Sequence, residues 1–104
     1  MRTFPKSLAT FRRIVDKRGE ELRALTWEEI KARALEPKEH IEVESRPATI
    51  SVIAEPVGEQ LRVVVQGFMK HKLFPGSSMA LDGFYKHRDG HVTPMPHEEF
   101  SRYD

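Results

Sequence analysis

"HIEVESRPATISVIAEPVGEQLRVVVQGFM", residues 40–69, alternates apolar and polar side chains over most of its length. Ile41 and Val43 alternate with His40, Glu42 and Glu44, and Ala48, Ile50, Val52 and Ala54 repeat the pattern after the Arg46-Pro47 kink. Leu61, Val63 and Val65 continue it. A period of two is that of a strand with one face buried. Between the last two runs, "EPVGEQ" has turn chemistry: Pro56 fixes φ, and Gly58 is free to take a positive φ. The third run therefore pairs back antiparallel on the second. This part of the chain is a sheet built from hairpins.

Upstream the period is helical. Leu8, Phe11, Val15, Leu22 and Leu25 are spaced by 3, 4, 7 and 3, which places them on one stripe of a helix from about residue 6 to 24, with Ser7 as its N-cap. Gly19 lies inside that span and costs about 1 kcal/mol relative to alanine, which allows a break there. Thr26 and Glu29 form a capping box that starts a second helix carrying Trp27, Ile30 and Ala34 and ending before Pro37.

Downstream, "MALDGFYKH" and "HVTPM" form a last hairpin around Asp89-Gly90, with Pro94 confining the second strand to an edge. Residues 97–104 suit a final turn in which Phe100 and Tyr103 pack back. The expected architecture is one α+β domain over residues 1–104. Two N-terminal helices (about 6–35) cover one face of a four- to five-stranded, mainly antiparallel sheet (about 40–95).

A chain of 104 residues buries about two-thirds of its unfolded surface in a single core. Charged residues make up 32% against roughly 25% in an average globular protein, so the core is thin and the surface well solvated. With no cysteine, disulfides, thiolate zinc sites and thiol nucleophiles are excluded. The opening "MRTFPKSLATFRR" lacks the apolar core of a secretory signal, and no apolar run reaches the roughly 20 residues that span a bilayer. The expectation is a soluble cytoplasmic protein with no membrane partner.

The net charge of +1 conceals segregation. Residues 1–18 carry six basic residues against Asp16 alone, whereas residues 19–60 carry ten acidic and five basic. Whether these charges share a surface depends on the fold.

Motifs for catalysis are missing: there is no G-x-S-x-G elbow, P-loop, dinucleotide fingerprint or H-E-x-x-H, and no cofactor is implied. His87 and His91 flank Arg88-Asp89-Gly90. A two-residue loop puts these histidines on opposite faces, and a three-residue loop with Gly90 in the left-handed position pairs them. Even paired they supply two nitrogens, where zinc takes three or four ligands, so no metal site is assigned. His40, Glu42 and Glu44 at alternate positions suit a divalent ion or acid–base work, and equally an ordinary edge strand whose charges discourage aggregation.

The stretch "QGFMKHKLFPGSSM" interleaves aromatic and basic residues. In strict alternation Phe68, Lys70, Lys72 and Phe74 share a face, which is anchor composition for a protein interface. The leading expectation is thus a non-catalytic protein-interaction or regulatory domain that binds a protein partner or itself through these four residues. A nucleic-acid-binding module using Arg12, Arg13 and Lys17 with Lys70 and Lys72 is the alternative, provided that the two basic segments adjoin. A metal-dependent enzyme comes third. The C-terminal half, through "VVVQGFM", "DGFYK" and "HVTPMP", resembles short bacterial proteins of no assigned activity, a likeness that implies no residue role.

Overall fold

The alternating runs become the strands of one five-stranded antiparallel sheet in the simple order β1-β2-β3-β4-β5. The computed structural model describes residues 6–71 and 76–103. Helices α1 (Lys6–Arg23) and α2 (Trp27–Ala34) precede β1 (Glu39–Val43), β2 (Arg46–Val57), β3 (Gln60–Lys70), β4 (Ser77–His87) and β5 (Val92–Pro94). A 3-10 helix, His97–Tyr103, closes the described chain. The protein is an α+β fold, and among the described residues no helix is long and apolar enough to cross a membrane.

Strand register assigns the faces. Ala48, Ile50, Gly67, Met69 and Ala80 lie side by side, as do Val63 and Phe84, on the face covered by α1 and α2. Phe11, Val15, Leu22, Trp27 and Ile30 close this core from the helix side. Gly67 permits the close approach of α1: a Cβ there would lie 2.6 Å from Phe11 Cζ and 2.9 Å from Val15 Cγ2. The N-terminus of α2 is capped as the sequence indicates, with Thr26 Oγ1 accepting from the Glu29 amide (3.2 Å) and Glu29 Oε1 from the Thr26 amide (2.9 Å).

Gly19 does not break the helix. It is buried mid-helix because Asp82 packs against it; a Cβ would lie 1.7 Å from Asp82 Oδ2. That carboxylate is held in a two-pronged pair with Arg23 (2.7 and 3.2 Å). Glycine here trades helix propensity for a close ion pair between α1 and β4. Ser7 lies in the first turn of α1, which begins at Lys6, and is buried rather than placed at a boundary.

β1 and β2 meet in a two-residue turn, Glu44-Ser45, both in the left-handed region (φ 49° and 69°). Turn signals based on glycine and asparagine miss it. Glu44 therefore leaves the strand and accepts a 3.3 Å hydrogen bond from Thr10 on α1, away from His40 and Glu42. The two prolines of β2 cost no ladder bond. Pro47 precedes the first pairing with β3, and Pro56 lies beyond the last pairing with β1.

The second face of the sheet carries a smaller core of Val64, Tyr85 and Met95, joined by Ile53, Leu81, Phe100 and Tyr103. The final turn does pack back through Phe100 and Tyr103. Beneath it Tyr85 donates to Glu99, which also lies 3.9 Å from Arg62. Burial, then the Glu99 carboxylate, raises the Tyr85 phenol above its ordinary 10.0. A raised folded-state pKa means that the stabilising contribution is complete below pH 10 and is lost as pH climbs through and beyond it. Thermal melts across that range should show the wild type losing stability faster than Tyr85→Phe. Parallel curves would show that the phenol is not the group responsible.

Candidate functional site

Unequal element lengths leave a surface open. The twelve residues of β2 reach about 40 Å at 3.3 Å per residue, whereas the seven-residue 3-10 helix covers about 14 Å at 2.0 Å per residue. The 3-10 helix lies over the half of the second face that contains Val64 and Tyr85. Among the described residues no helix covers the other half. At its centre Phe68 projects from β3 between Thr49 on β2 and Met79 on β4, with 40% of its surface exposed. Phe68 lines a shallow groove with His40, Pro47, Thr49, Lys70 and Ser77. Its neighbour Met69 points the other way and is fully buried.

Phe68 and Lys70 thus share an open face, as alternation requires. Lys72 and Phe74 lie outside the described residues. At the mouth of that segment, His71 Nε2 and Ser78 Oγ are 2.9 Å apart, and the His71 amide donates to Gly76 O (3.3 Å). Arg12, Arg13 and Lys17 are exposed on α1, which packs on the face opposite Lys70. The sheet separates these cations from Lys70.

The hairpin between β4 and β5 has the three-residue form. His87 N donates to His91 O (2.9 Å), Gly90 N donates to His87 O (2.9 Å), and Gly90 takes φ 99°. The two imidazoles stack with centroids 4.0 Å apart and planes within 5°. Each is already engaged: His91 Nδ1 with Asp89 Oδ1, and His87 Nε2 with Thr93 Oγ1 at 2.9 Å. Among the described residues no three histidine or carboxylate groups are gathered as a metal cage.

Compared with known proteins, the chain matches no family model, no curated protein and no solved structure at a significant level. The site must speak through its own geometry.

Sequence reasoning passed over a second cluster, at the Trp27 end of the sheet. The Trp27 indole donates to the carbonyls of Lys86 (3.1 Å) and His87 (3.2 Å), and the Arg88 guanidinium lies 3.9 Å above its ring. Lys86 is buried and donates to Arg23 O (2.8 Å), where it satisfies a carbonyl in the last turn of α1. These contacts join elements some sixty residues apart, so no local pattern announces them. They lock the helices to the sheet. The Arg18–Glu39 pair (2.8 and 3.0 Å) does the same for β1, and its hydrogen bonds hold the Glu39 carboxyl below the ordinary range.

Proposed function

We propose that this protein is a non-catalytic interaction domain that docks a partner protein on the bare half of its second sheet face. The observation that carries the reading is Phe68. It is a large aromatic ring exposed near the end of the middle strand of the sheet, flanked by Thr49, Met79 and Lys70. An exposed aromatic ring beside a methionine, with polar and charged groups such as Thr49 and Lys70 around it, matches an interface anchor with a polar rim more than inert surface. Strands on both sides fix the ring before binding, which lowers the ordering cost of association.

Phe68→Ser tests this. An exposed residue of this kind changes stability by about 0.5 kcal/mol, whereas its buried neighbour, truncated as Met69→Ala, costs about 2–5 kcal/mol. Cell-extract proteins captured by the wild type and by a Lys17→Ala control should be lost from Phe68→Ser. Unchanged capture, or a melting loss as large as that of Met69→Ala, would sink the proposal. A second reading keeps the same face: Phe68 stacking a base beside Lys70 at a phosphate, without help from the cations of α1. Titration with a single-stranded oligonucleotide separates the two, since such binding falls steeply with salt.

A further inference from the structure

β5 is three residues long and pairs only with Phe84, Tyr85 and Lys86. From Ser77 to Gly83 the outer side of β4 meets no strand among the described residues. Backbone groups alternate sides along a strand, and His87 N bonds towards β5, so the amides and carbonyls of Met79 and Leu81 point out of this free edge. The devices that usually guard an edge are missing: Ser77–Leu81 contains no proline, no lysine and no other charge. On the helix face the edge is flanked by Arg12 and Asp16 of α1, and on the other face by His97 and Phe100. Neither Arg12 nor Asp16 makes an ion pair among the described residues.

We infer that two copies of this chain pair through the free edge of β4, antiparallel and centred on Ala80, with Arg12 of each copy against Asp16 of the other. Two independent measures of register agree on that centre. Along the strand, a two-fold axis at Ala80 sets Met79 opposite Leu81 of the second copy, and these are the residues whose backbone groups face outward. Along the helix, Ala80 pairs with Gly67, whose missing Cβ lies between Phe11 and Val15. The same axis therefore passes beside the stretch 11–15 of α1 and brings Arg12 opposite Asp16 of the second copy.

Spacing agrees as well. α1 packs over β3 and β4, so two such helices across a strand gap of about 4.8 Å stand about 10 Å apart, the separation of packed helices. Asp16 also gains by the pairing. Its carboxyl is raised by partial desolvation and then by the Asp82 charge, against the lowering effect of Arg12 and Arg23, and a guanidinium from the second copy adds to that lowering effect. On the opposite face, His97 and Phe100 of one copy come beside Met79 of the other, at the border of the bare patch.

Sedimentation equilibrium from low micromolar to several hundred micromolar should give a mass approaching twice 12.0 kDa. Arg12→Glu or Asp16→Arg alone sets like charges together and should weaken the dimer more than about tenfold. The double variant Arg12→Glu/Asp16→Arg should recover the wild-type constant within a few fold. Met79→Pro removes an amide used only at the edge, and should give a monomer with an unchanged circular dichroism spectrum. A wild type that stays at 12.0 kDa throughout overturns self-pairing and leaves the edge to a strand of another protein. A double variant no stronger than the singles overturns the register. If Met79→Pro does not fold, the charge exchange, made at two exposed positions, decides alone. All of these variants keep Phe68, so failure here leaves the docking face standing.

Discussion

Replacing Trp27 with alanine should lower the free energy of unfolding by about 3–5 kcal/mol, the range for truncating a buried large aromatic. In a domain whose whole stability is about 5–15 kcal/mol, such a loss is a large fraction of the total. The physical reason is that three interactions end together. The ring leaves the core under α2, the Lys86 and His87 carbonyls lose their indole donor, and Arg88 loses the aromatic face on which it lies. Trp27→Phe separates the terms. It keeps most of the apolar area but removes the N–H, and should cost about 1–3 kcal/mol for the carbonyls left without it. Chemical denaturation of the three proteins checks the order. Equal losses for alanine and phenylalanine would show that the hydrogen bond, not the packing, dominates.

Gly67→Ala should destabilise the protein by about 1–3 kcal/mol, although alanine is the better residue by backbone entropy. The added methyl would sit 2.6 Å from Phe11 Cζ in a core where Phe11 and Val15 are fully buried. Both side chains are packed in the core, so relief of the contact requires that they shift or that α1 lift from β3. Phe11→Leu removes the contact and should rescue part of the loss when combined with Gly67→Ala, so that the pair costs less than the sum of the singles. Strict additivity of the two changes would disprove the contact as the cause.

Much of the fold lies in local pattern. The two-residue period of residues 40–69, the capping box at Thr26 and the stripe of Phe11, Val15 and Leu22 determine strands, helices and their inward faces, because burial selects one face at each period. They also place Phe68 and Lys70 on the same side of β3. Alternation alone does not say whether that side is covered. This depends on where the 3-10 helix lands and on its being too short to cover the second face.

Other features are decided only by contacts between distant residues. Gly19 looks like a helix break until Asp82, far along the chain, is seen packed against it. Glu44 reads as a strand residue because nothing in its own chemistry signals the left-handed turn into which hairpin closure forces it. The His87–His91 register is open in the sequence because Arg88-Asp89-Gly90 suits a two- or a three-residue loop. The left-handed Gly90 and the backbone bonds of His87 select the three-residue one. The basic surface suggested by residues 12–17 and 70 is divided because a sheet lies between its halves. The sequence by itself determined which residues face inward, since side-chain period and hydrophobic burial are local properties. The tertiary structure alone decided which outward faces stay open and which charges meet, since both depend on the placement of elements remote along the chain.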